Sequence, residues 1–186
     1  MKVGVLAIGQ IAPDVLRTVA EGLARTFPET SAALLKTPLL IPQQSFDRKR
    51  SQYNSSIILN ELGKYAERRT SFHRILAVVD VDLYASGLNY VFGEAFAPGC
   101  VGVISLWRLR PEFYGEQEDL SVYHTRILKE AAHELGHTLG LQHCHHSYCV
   151  MHFSNCIFDT DKKQTLFCDQ CSLQAAIAIS NIGKTL

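Results

Sequence analysis

Three histidines at positions 133, 137 and 143, with Glu134 beside the first and Gly140 between the last two, restrict the fold of this chain more than any other feature. A four-residue spacing puts His133 and His137 on one face of a helix, one turn apart. For His143 to join them, the helix has to stop and the chain has to turn back within a few residues. Gly140 stands where that turn is needed, because a residue without Cβ takes φ > 0 at little cost. The spacing therefore predicts a helix ending near 139 and a tight return over 140–143, with the three imidazoles facing one point.

Three neutral nitrogens and a water complete a tetrahedron with one exchangeable position, the arrangement of a catalytic zinc. Glu134, next to the first ligand, is placed to contact the zinc-bound water without binding the metal. Zinc lowers the pKa of such a water to about 7, and Glu134 would accept its proton during attack on a carbonyl and pass it to the leaving amine. The reaction this predicts is hydrolysis of a peptide or similar amide bond.

Composition narrows the setting. Of 186 residues 47% are hydrophobic and 19% charged, enough apolar material for a core and too much for disorder. Eighteen Lys and Arg balance eighteen Asp and Glu, which argues against a nucleic-acid partner, and Arg48, Lys49 and Arg50 read as a solvated loop. No apolar run approaches the roughly 20 residues that cross a bilayer, and the opening Met1–Gly9 reads as a first strand rather than a signal peptide. A cytoplasmic chain is expected.

Cysteine in the cytosol calls for an explanation other than disulfides. Five of the six, Cys144, Cys149, Cys156, Cys168 and Cys171, fall between 144 and 171. Cys168 and Cys171 have the C-x-x-C spacing of a zinc knuckle, and Cys144 and Cys149 form a looser first pair. Four thiolates with no open position suit a second, structural zinc that staples a tail too small for its own core. A redox pair, or replacement of one thiolate by His145, His146 or Cys156, is the competing reading. Cys100 and Cys156 are expected to be small buried hydrophobes.

The rest of the pattern predicts alternating strands and helices. Strands are expected at 2–9, 32–35 and 75–83, helices at 13–27, 56–68, 121–139 and 172–181, and loops at 37–52 and 110–119. Tyr90–Phe96 and Cys100–Leu109, joined through Ala97-Pro98-Gly99, suggest a hairpin. Asp80 and Asp82 read as solvated strand-end carboxylates, or as partners of the metal ligands. The expected architecture is an α/β mixed sheet, residues 1–143, with a small C-terminal subdomain, 144–186, in one peptidase domain.

HELGHTLGLQHC, followed by CVM and the downstream C-x-x-C, resembles the archaemetzincin family of the metzincin clan of zinc peptidases. The resemblance is close over Ala131–Cys171. It implies a zincin-like twisted sheet with an active-site helix. It also implies a catalytic zinc on His133, His137 and His143, Glu134 as general base, and a structural zinc on Cys144, Cys149, Cys168 and Cys171. Met151 would be the methionine lying beneath the catalytic ion. Gly93, Glu94, Ala95 and Phe96 are similar to the edge strand that roofs the cleft and pairs with a peptide or protein substrate. Two other readings stay open on the residues alone: a zinc-stabilised binding module with a vestigial histidine site, and hydrolysis of a non-peptide amide.

Overall fold

Alternation along three strands sorts the apolar residues onto two faces of one sheet. The computed structural model describes residues 1–69 and 71–182, so the last four residues of the expected 144–186 unit lie outside the described residues. In β1 (Lys2–Ile8), Val3 and Val5 enter one core cluster, and Leu6 and Ile8 enter the other. In β5 (Arg74–Val79), Leu76 and Val78 face the first cluster, and Ile75, Ala77 and Val79 the second. The period of two in side-chain direction is the cause. Burial on both faces explains why these strands read as continuous apolar runs.

The sheet has the order β2-β1-β5-β8-β7, with β2 at Ser31–Leu34, β7 at Gly93–Ala95 and β8 at Val101–Ser105. The first four strands are parallel, and β7 runs antiparallel along the free edge of β8. The expected hairpin forms, with shorter arms. One face is covered by α1 (Pro13–Thr26) and α3 (Leu120–Thr138) through Val15, Val19, Leu23, Ile127, Ala131 and Leu135. That cluster continues through Cys149, Met151, Cys168, Cys171, Ala175 and Ile179, so the C-terminal segment shares the core of the sheet. The other face is covered by α2 (Ser55–Ala66) through Ile58, Leu59 and Leu62.

Several expectations need correction. Residues 37–52 are not a plain loop. They contain a 3₁₀ turn at Gln43–Ser45 and contribute β3 (Phe46–Asp47) and the start of β4 (Gln52–Asn54) to a small second sheet, which β6 (Leu83–Tyr84) completes. The strand expected at 75–83 ends at Val79, and Leu83 belongs to this second sheet. Between them, Asp80 takes a two-pronged bond from Arg110 at 2.6 and 2.7 Å, and Asp82 another from Arg108. Neither is a solvated strand end, and neither touches the histidines. Arg50 is tied down as well: its guanidinium donates to the carbonyls of Leu88 and Asn89 and stacks on Tyr84. The loop at 110–119 begins with a 3₁₀ turn over Pro111–Tyr114. A short helix, α4 (Ile157–Lys162), precedes the expected last helix, α5 (Asp169–Ile182). Cys100 is exposed where the chain enters β8, and Cys156 is half-buried ahead of α4. Among the described residues no helix is long and apolar enough to cross a membrane.

Candidate active site

Asp119 caps α3 by accepting from the amides of Ser121 and Val122 at 2.9 and 3.0 Å. Anchored there and by its buried face, the helix presents His133, Glu134 and His137 to a cleft below β7. It ends where expected. Leu139 N donates to Gly136 O and Gly140 N to His137 O, and Gly140 takes φ +89°. A side chain at that φ would be strained, so the turn back depends on glycine. His143 then returns to the pair, its ring centroid 5.3 Å from that of His133 and 4.8 Å from that of His137.

The hydrogen bonds behind the rings decide what the cluster can hold. His133 Nδ1 donates to Val150 O and His137 Nδ1 to Leu141 O, each at 2.8 Å. A carbonyl only accepts, so both protons sit on Nδ1 and both Nε2 atoms carry bare lone pairs. Those two Nε2 atoms face each other at 3.0 Å. Two lone pairs so close repel unless a cation lies between them. Two nitrogens on one tetrahedral zinc, each about 2.0–2.1 Å from it, are about 3.3–3.4 Å apart. The available ligand atoms of His133, His137 and His143 all lie within 4.8 Å of one another. Burial pushes His133 well below the usual imidazole pKa and lowers His137 and His143 too, keeping all three neutral as a metal ligand must be. The residues fit a zinc ion.

Glu134 is buried beside them, and burial pushes its carboxyl well above the usual carboxylate range, with Glu130 acting in the same sense. It packs against Gly93. A Cβ there would lie 2.6 Å from Glu134 Cγ, 2.8 Å from its Oε1 and 2.7 Å from Val103 O. Met151 is fully buried against the same helix, and a Cβ on Gly136 would lie 2.5 Å from its Sδ. The methionine sits on the helix backbone between the two ligand histidines.

Of the four residues expected at the roof, Gly93, Glu94 and Ala95 line the cleft, a cavity of about 560 Å³. Phe96 does not. It borders a separate surface depression beside α2 with Ile57 and Gly63, where strand alternation and the end of β7 turn it away. The carboxylate of Glu94 is held by the hydroxyls of Ser55 and Ser56 at the start of α2.

Cys144, Cys149, Cys168 and Cys171 converge, with their sulfurs all within 4.8 Å of one another. The sulfurs of Cys144 and Cys168 are 3.7 Å apart, against about 3.8 Å for two thiolates on a tetrahedral zinc. Burial pushes the Cys149 thiol up, and the bond from Cys168 N to its Sγ at 3.3 Å works against that. All four sulfurs are free, three of the cysteines are buried, and this cluster also fits zinc.

The sequence reading missed one group at the cleft. Glu130 lies one turn before Glu134 and lines the cavity. Its Oε1 accepts from Thr160 Oγ1 and from Lys163 Nζ, each at 3.1 Å, and the Lys163 side chain is wholly buried. The i to i+4 spacing to Glu134 was a signal for Glu130. Nothing local pointed to Lys163, 33 positions away.

Comparison with known proteins agrees with this geometry. The model of peptidase family M54 matches residues 40–176. The chain is 40% identical to the archaemetzincin of Pyrococcus furiosus over 170 residues, covering 90% of this chain and 88% of that one. It is 38% identical to that of Methanocaldococcus jannaschii over 171 residues, covering 92% and 90%. Among solved structures, the archaemetzincin of Methanopyrus kandleri superposes with a TM-score of 0.84 at 31% identity over 97% of this chain and 96% of that one. That of Archaeoglobus fulgidus, complexed with malonate, gives 0.80 at 33% over 94% and 99%. The relation runs along nearly the whole length of these proteins, and this chain belongs to the archaemetzincins, the zinc metallopeptidases of peptidase family M54.

Proposed function

We propose that the protein hydrolyses peptide bonds, with His133, His137 and His143 holding the catalytic zinc, Glu134 moving the proton, and a second zinc on Cys144, Cys149, Cys168 and Cys171 serving structure alone. The observation that carries this is the pair of Nε2 lone pairs facing each other at 3.0 Å, with His143 beside them and Glu134 on the adjoining helix position. When bound, zinc supplies a Lewis acid for the scissile carbonyl and makes water acidic near neutral pH.

The chain supplies the rest. The backbone carbonyls of Val150 and Leu141 hold two ligand rings in the tautomer that leaves Nε2 free. The Glu134 carboxylate accepts the proton of the attacking water and returns it to the departing nitrogen. The free edge of β7 borders the cleft, and an extended substrate adds there as a further strand, with Gly93, Glu94 and Ala95 offering backbone groups. We read the chain as one catalytic unit of two parts, 1–143 and 144–186. Its setting is cytoplasmic, where cysteines stay reduced and available to a metal, and it has neither a nucleic-acid nor a membrane partner.

Cleavage of a diverse peptide mixture tests the reading. The zinc-loaded protein should cut peptides, chelation should stop it, and Glu134→Ala should keep its zinc while losing about 10²–10⁴-fold in rate. Full activity in that variant would remove Glu134 from the mechanism. Two bound zincs with no turnover of any peptide would favour a binding module.

A further inference from the structure

Two polar groups at the cleft remain unused by hydrolysis. Glu130 is almost completely buried yet lines the cavity, and both of its bonds to the chain, from Thr160 and Lys163, fall on Oε1. Ser154 lines the same cavity, and its Oγ is buried with no hydrogen-bond partner. A buried hydroxyl left unpaired in a binding cleft costs free energy that a bound polar group recovers. Glu130 is four residues before Glu134 on α3, so it lies about 6 Å along the helix axis from the group that handles the scissile bond. That is the reach of one long side chain.

The charge around the cavity indicates the sign of that side chain. Glu94, Glu130 and Glu134 line it, and among the described residues no lysine or arginine does. Lys163 stands behind Glu130 with its own side chain wholly buried, so it fixes the carboxylate without reaching a ligand. Tyr90 closes the same wall by donating its hydroxyl to Asn155 O, and its ring packs edge-on against Phe92. Aromatic walls around an acceptor accommodate the alkyl stem of a cationic side chain and leave its donors for the oxygens.

We propose that Glu130 and Ser154 form a specificity pocket for a lysine or arginine of the substrate adjacent to the bond cut. This rests on the peptidase reading, and the test separates the two. Hexapeptides differing only in lysine or norleucine at the position beside the scissile bond are titrated by fluorescence anisotropy into zinc-loaded Glu134→Gln protein, which binds without turnover. The lysine peptide should bind about tenfold more tightly, as expected of a charge-assisted hydrogen bond. Adding Glu130→Gln should abolish the difference. Ser154→Ala, a loop substitution that leaves the Glu130–Lys163 pair intact, should reduce it about threefold. Equal binding of the two peptides, or a lysine preference that survives both substitutions in protein with unchanged melting, overturns the pocket. Cleavage by the wild-type chain is scored separately: turnover without a basic preference sinks the pocket and keeps the peptidase. Lysine-selective binding without turnover keeps the pocket and sinks the peptidase.

Discussion

The histidine and cysteine clusters lie on either side of one short turn, residues 149–152, and are built by opposite means. The histidines come from a continuous helix and the bend that ends it, border a cleft, and supply three ligand atoms. The cysteines come from loops and the first turn of α5, are mostly buried, and supply four. The turn joins them: Cys149 opens it, Val150 O accepts from His133 Nδ1, Met151 lies under the helix, and Cys144 N donates to Met151 O. On the proposed two-zinc reading, the contrast separates a site framed by one continuous helix from one whose frame would rely more on its metal. Helix α3 is held by the apolar core. Cys149, Cys168 and Cys171 share that core as well, but they come from loops and one helical turn, with no single continuous helix to fix their spacing.

That asymmetry predicts unequal losses. Cys171→Ser should remove one zinc and cost more than about 3 kcal/mol, since structural zinc contributes folding energy outright. It should also weaken zinc at the histidines about 10–100-fold, because Val150 O would lose its position behind His133. His137→Ala should remove the other zinc and leave the cysteine-bound ion in place. Zinc counting with thermal unfolding reads both. If the histidine variant melts as early as the cysteine variant, the contrast is wrong.

A smaller effect sharpens the open site. In Gly93→Ala the new methyl meets Glu134 on one side and the Val103 carbonyl on the other, and the carbonyl cannot yield. Glu134 has to move, and displacement of a reacting group by about 1 Å costs on the order of 10²-fold in rate. The expected result is a fall in kcat with both zincs retained. Unchanged kcat would show that the approach of β7 to Glu134 is incidental.

The smallest effect is on stability. Burial holds the Glu134 proton in the folded, metal-free protein, while the unfolded chain releases it above its ordinary value of 4.5. The folded state therefore binds more protons above that pH, and stability falls as pH rises. Glu134→Gln should stabilise the metal-free protein by about 1 kcal/mol at pH 7, by a margin that widens from pH 4.5 upward. Denaturant unfolding at several pH values measures it. The three imidazoles act in the opposite sense: their folded pKa values lie below 6.5, so the unfolded chain takes up protons that they refuse, and stability falls as pH drops below 6.5.

Much of this was legible in the residues because it is local. A four-residue spacing, a glycine at the bend and a C-x-x-C pair act within one or two turns of chain, and each is where it was expected. The departures are long-range. Asp80 and Asp82 looked like solvated carboxylates until Arg110 and Arg108, far along the chain, took them. Phe96 followed Gly93, Glu94 and Ala95 in sequence but not into the cleft, since alternation and the end of the strand turn it toward α2.

The sequence by itself determined the helix, its stopping point and the types of ligand atom, because helical period, glycine backbone freedom and donor chemistry are properties of neighbouring residues. Tertiary structure alone decided that β7 passes close enough to Glu134 to require glycine, that Val150 sets the tautomer of His133, and that Lys163 is buried behind Glu130. Each of these depends on which distant segments share a core. That choice is made by the total apolar surface buried over the whole chain, which no local window contains.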